Sequence, residues 1–60
     1  MHCLEVIIKR NAQAAGRELG HAVNDEDDVL ARRIKLANLL YAIVYRRAYF
    51  HGYNRGREEK

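Results

Sequence analysis

The chain has 60 residues, a formal net charge of +3, one cysteine, and no proline or tryptophan. That length falls short of the size at which one apolar core is comfortably stable, and a single cysteine excludes an intramolecular disulfide as the missing support. Serine and threonine are also absent, which excludes hydroxyl nucleophiles of the triad kind and leaves Cys3 as the one thiol, so the composition points away from an enzyme.

The charge is unevenly spread. Residues 1–20 sum to +1 (Lys9, Arg10 and Arg17 against Glu5 and Glu18). Residues 21–30 sum to −4 (Asp25, Glu26, Asp27, Asp28), and residues 31–60 to +6. An acidic middle between basic ends can orient subunits or steer a partner.

At the start, Met1-His2-Cys3-Leu4 lacks the basic stretch and long apolar run of a signal peptide. No run of about 18 apolar residues occurs, so no spanning segment and no membrane partner are expected, and a reducing cytoplasm is the expected setting.

The spacing of Leu4, Ile8, Ala12, Ala15, Leu19 and Ala22 predicts a helix over about 3–20, with Gly20 as its end and a turn over about 21–24. Ala12, Ala14 and Ala15 are small enough for Leu40 and Tyr41 of a neighbouring helix to lie close. A competing reading makes Cys3–Arg10 a strand, because Val6, Ile7 and Ile8 are β-prone. A strand, a short helix and a longer helix would outline a ribbon–helix–helix DNA binder. Its groove-facing residues would then be Cys3, Glu5, Ile7 and Lys9, a poor set for DNA.

Asn24 followed by four acidic residues predicts the cap and first turn of a second helix, where carboxylates meet the positive end of the helix dipole. This helix is expected over about 25–52, with Gly52 as the residue after its end and 53–60 as a frayed tail. Its apolar side chains sweep roughly 200° of arc, about twice the stripe that one neighbour needs. Leu30, Ile34, Ala37, Tyr41, Val44 and Ala48 make one seam; Leu36, Leu39, Ile43 and Phe50 make another.

The fold expected from this pattern is all-α, a two-helix antiparallel hairpin forming a single domain. Two such hairpins would dimerise through the long helix into a four-helix arrangement, because one short arm cannot cover both seams. The core and dimer residues are expected to be Leu4, Ile8, Leu19, Leu30, Ile34, Leu40, Tyr41 and Val44.

A partner-binding edge is expected from Leu36, Leu39, Ile43 and Phe50, rimmed by Arg46 and Arg47, as in an apolar interface core with a charged border. An alternative is a nucleic-acid surface formed by Arg46, Arg47, Tyr49, Tyr53, Arg55 and Arg57. The tyrosines at every fourth position wind from a buried Tyr41 to exposed Tyr49 and Tyr53, which would stack on bases. Antiparallel arms would bring His2 and Cys3 near His51, but no paired-ligand spacing supports a metal, and none is expected. No cofactor is expected either. The chain therefore reads as a small non-enzymatic protein that associates with itself and with an unidentified protein partner.

In size, helical texture and the closing run Tyr45-Arg46-Arg47-Ala48-Tyr49-Phe50-His51-Gly52-Tyr53-Asn54-Arg55-Gly56-Arg57, the chain resembles the small early accessory proteins of temperate, lambda-like bacteriophages. The resemblance implies a regulator that binds a host or phage protein in the host cytoplasm. It carries no functional residue across.

Overall fold

The computed structural model describes residues 3–59. The protein is all-helical: 88% of the described residues lie in four helices, and none of them lies in a strand. Helix α1 spans Leu4–Asn24, α2 Asp28–Ala37, α3 Leu39–Val44 and α4 Arg46–Glu58. The strand expected as an alternative for residues 3–10 is not formed. The β-prone Val6, Ile7 and Ile8 lie inside α1, and with no second strand beside them an extended segment would leave its backbone unpaired.

Two boundaries differ from those expected. Helix α1 does not end at Gly20 but runs through it to Asn24. It closes with paired reverse hydrogen bonds, Glu26 N–H to Val23 C=O (3.1 Å) and Asp27 N–H to Ala22 C=O (3.0 Å), around Glu26 at φ 56°. That pattern satisfies the last carbonyls of a helix and requires one left-handed residue, usually glycine. The cap of the next helix is accordingly Asp27, whose Oδ1 accepts from Leu30 N–H at 3.0 Å, and not Asn24.

The second difference is larger. The single helix expected over 25–52 is three segments, bent at Asn38 (φ −113°, ψ 26°) and Tyr45 (φ −112°, ψ 44°). The Asn38 side chain donates to Ile34 C=O at 3.0 Å, which the Asn38 backbone N–H also uses, and such competition bends helices. At Tyr45 the backbone bond to Tyr41 C=O persists while the direction changes. The last segment continues to Glu58, so the tail expected to fray from 53 is helix.

These bends send the chain out, back and out again. Gly16 of α1 meets Tyr49 and Tyr53 of α4, Gly20 meets Tyr53, Gly56 and Arg57, and Asn24 meets Gly56, Arg57 and Glu59. Numbers rise together along both helices, so α1 and α4 are parallel. The α2–α3 segment runs opposite to both, carrying the chain from the Asn24 end back to the level of Lys9. The two-arm hairpin is thus replaced by three passes.

The contact between α1 and α4 is the main interface, and it is made of backbone. Gly16 and Gly20 on α1, and Gly52 and Gly56 on α4, are all buried. A Cβ at Gly16 would strike Tyr49 C=O, at Gly20 Tyr53 C=O, at Gly52 Gln13 C=O and at Gly56 Arg17 C=O, in every case well inside 3.0 Å. The carbonyls therefore face glycine Cα–H groups, a close approach that small residues four apart permit. Gly52, expected to follow a helix end, is instead at the centre of this contact.

The side chains buried around that contact are few: Ala12, Leu19, Ala22 and Tyr49. Of the expected core residues, Leu19 is buried, and Ile8, Ile34 and Tyr41 are half-buried. Leu4, Leu30, Leu40 and Val44 are exposed, Leu40 by 74%. Leu40 cannot lie against Ala12, because Tyr49 and the rest of α4 occupy that flank of α1.

Candidate interaction surface

The α2–α3 segment has two faces. Ala31, Ile34, Asn38, Tyr41, Ala42 and Tyr45 are half-buried and line the side toward α1 and α4, with the Tyr41 and Tyr45 rings edge to face at 6.4 Å. Val29, Leu36, Leu40 and Val44 recur at steps of seven, four and four on the other side, with Leu39 and Ile43 beside them. No described residue covers this row, which is exposed along its length. The four residues of the predicted partner-binding edge are each exposed, Leu36 at 70%, Leu39 at 55%, Ile43 at 65% and Phe50 at 58%, but only the first three stand on or beside this row.

Phe50 belongs to a second surface. Its ring packs against Tyr53 at 5.9 Å, and with Leu19, Ala42 and Tyr49 it lines an apolar cleft of about 450 Å³ between α3 and α4. Lys35 and Arg46 stand at the cleft's edge. Arg46 and Arg47 are both exposed at the start of α4, beside Val44 and Lys9.

The predicted nucleic-acid set does not gather. Arg46 and Arg47 open α4, whereas Arg55 and Arg57 close it, about 15 Å further along at 1.5 Å per residue. Tyr49 was expected to be exposed and is 6% exposed, pressed on Gly16. Its hydroxyl is buried without a hydrogen-bond partner among the described residues, and that burial raises its pKa. A ring so placed cannot stack on a base. Tyr53 is half-buried under Phe50, with the Arg57 guanidinium 5.8 Å from its ring centre.

One polar cluster went unforeseen. The Asn24 amide donates to Gly56 C=O (3.1 Å), Arg57 C=O (2.6 Å) and Glu59 C=O (3.1 Å), so the last residue of α1 caps the end of α4. Beside it, Arg17 holds the Glu59 carboxylate through both nitrogens of one edge, Nε at 2.7 Å, and His21 lies 3.9 Å from the same carboxylate. The Arg17 hydrogen bond holds the Glu59 carboxyl below its ordinary pKa. Spacing could have flagged the cluster, since Arg17, His21 and Asn24 recur at steps of four and three along one helical stripe.

The metal reading involved His2, which lies outside the described residues. His51 faces Gln13 and Arg17 across a groove, well along α1 from Cys3. Among the described residues no three His, Cys, Asp or Glu side chains gather. No helix there is long and apolar enough to cross a membrane. Comparison of the chain with protein-family models, with characterised proteins and with solved structures finds no match.

Proposed function

We propose that this is a small non-enzymatic interaction protein that works by self-association and by docking a second protein. The observation that carries the reading is the open apolar surface on α2, α3 and the start of α4, where Leu36, Leu39, Leu40, Ile43, Val44 and Phe50 are each at least 55% exposed. Among the described residues four apolar side chains are buried while these six stand open, so much of the stabilising surface is on the outside. Self-association would use the α2–α3 row, joining two copies into a larger helical bundle. The partner protein would dock at Phe50 and its cleft, with Arg46 and Arg47 as a cationic border that favours an acidic rim on the partner.

The resemblance to temperate-phage accessory proteins would make that partner a host or phage protein met in the cytoplasm. A nucleic-acid role is the weaker reading, because the basic residues are split between two ends of α4 and Tyr49 is buried.

Affinity capture with the tagged chain, beside a Phe50→Ala control, tests this function. A protein captured by the parent and lost with the control supports it, provided the complex survives 0.5 M salt. Anisotropy titrations against RNA and DNA at two salt concentrations give the opposing result. Tight binding that falls steeply with salt and is untouched by Phe50→Ala would replace an apolar docking mode with phosphate contacts.

A further inference from the structure

The outer row of α2–α3 also carries information about which way round its partner sits. For a 7.0 kDa folded chain, surface scaling gives about 4,000 Å², whereas this chain exposes 5005 Å². The excess, about 1,000 Å², is close to the roughly 800 Å² that each partner contributes to a standard stable interface. One more copy of the chain supplies a surface of that size and character.

Charge then fixes the orientation. The row begins beside the exposed Asp25, Glu26, Asp27 and Asp28 and ends beside the exposed Arg46 and Arg47. Among the described residues the ion pairs are Lys9–Glu5, Arg17–Glu59 and His21–Glu59, so no described residue forms an ion pair with Asp25–Asp28 or with Arg46 and Arg47. Two copies aligned in parallel would set four acids against four acids. Two copies related by a two-fold axis across the row would set each acidic end against the other's Arg46 and Arg47.

We infer that the chain forms a two-fold, antiparallel homodimer through the outer face of α2–α3, with Leu36 near the axis. Placing Asp28 of one copy level with Arg46 and Arg47 of the other puts the midpoint of the overlap at Leu36–Asn38, and Leu36 is the large exposed apolar residue of that trio. Val29 of one copy then lies within one or two residues of level with Val44 of the other, the nearest member of the facing row. This inference rests on the self-association half of the proposed function and adds the occupant, the face and the register.

Disulfide trapping of the full chain tests it, in a Cys3→Ala background so that each variant carries one thiol. Leu36→Cys is expected to form a covalent dimer under mild oxidation. Val29→Cys and Val44→Cys are expected to link when mixed and to remain unlinked when alone, because only positions level or nearly so bring Cα atoms within about 7 Å. Self-linking by all three variants would mean parallel pairing and overturn the antiparallel register while leaving self-association in place. A helical chain that sediments as a monomer at 100 µM would overturn both. Leu40→Asp gives an independent readout: the side chain is exposed in the single chain, so helicity is kept while dimer dissociation rises by about thirtyfold or more. Unchanged dimer strength in that variant would place the interface elsewhere.

Discussion

The Cα of Gly52 faces the backbone carbonyl of Gln13 so closely that no side chain fits between them. Glycine in the middle of a helix costs about 1 kcal/mol relative to alanine, so Gly52→Ala at an ordinary exposed position would stabilise the protein. Here the added methyl meets backbone, which cannot rotate away, and the helices must separate. Gly52→Ala and Gly16→Ala are therefore each expected to destabilise by about 1–3 kcal/mol, against the propensity gain, as other overpacked contacts do. Urea denaturation followed by circular dichroism measures this. A gain in stability in both variants would mean that α1 and α4 are not in backbone contact.

That contact was written in the sequence in a form easy to misread. Gly16 and Gly20, and again Gly52 and Gly56, are each four apart, which puts each pair on one helical stripe. Taken singly, a glycine reads as a helix end, and that reading misplaced both the end of α1 and the end of α4. Apolar periodicity, by contrast, correctly showed helices and correctly showed a flank of the 25–52 region that the chain leaves uncovered. It could not show the bends at Asn38 and Tyr45, because neither residue is a strong breaker and the apolar pattern runs unbroken across both. Once the segment bends, α4 displaces Leu40 from α1, and Tyr49 moves from solvent to core. The exposure of Leu36, Leu39 and Ile43 was legible because it depends on local spacing; the placement of Phe50 on a second surface, like the orientation of α4, depends on where the bends fall.

Glu26 occupies a left-handed backbone position, φ 56°, in the turn that closes α1. A residue with a Cβ is held there at a cost of about 1 kcal/mol, which glycine would avoid. Glu26→Gly is expected to raise stability by up to about 1 kcal/mol, with the far-ultraviolet spectrum unchanged. Thermal melting of the two proteins side by side measures it, and a loss of stability would mean that the turn is not of this type.

Asn24 reaches across to three carbonyls at the end of α4. Asn24→Ala removes the donor and is expected to cost about 1 kcal/mol, with faster amide exchange at the last turn of α4. Asn24→Asp is expected to cost more, because a carboxylate facing carbonyl oxygens repels where the amide donated. Hydrogen exchange separates this local fraying from global unfolding. Equal protection at Arg57 and Glu59 in parent and variants would sever the link between the two helix ends.

The same end of the molecule should respond to acid. Arg17 holds Glu59 in its charged form, so the folded-state pKa of Glu59 lies below the unfolded one. Its contribution is fully present above the ordinary glutamate range, near pH 4.3, and is lost as pH falls through the lower folded value. The pair is partly exposed, Arg17 by more than half and Glu59 by about a third, so solvent screens it and the effect is a loosening of the end of α4, not collapse. Glu59→Gln is expected to remove this acid-sensitive step and leave the rest of the titration unchanged, as followed by NMR shifts of Arg17 and Glu58.

Tyr49 tests what the core needs. Its side chain is buried, yet its hydroxyl has no acceptor among the described residues. A buried hydroxyl without a partner costs about 1–3 kcal/mol, so deleting it removes a penalty and keeps the ring. Tyr49→Phe is expected to be neutral or stabilising by up to about 1 kcal/mol, and to abolish part of the loss of stability above pH 10. The sign follows from burial raising the phenol's pKa: the unfolded chain ionises near pH 10 while the folded one resists, so stability is complete below that range and declines as pH rises beyond it. Tyr49→Ala, which removes the ring as well, is expected to cost about 3 kcal/mol or more. If Tyr49→Phe were destabilising by more than about 1 kcal/mol, the hydroxyl would have an acceptor in solution that the described residues do not provide.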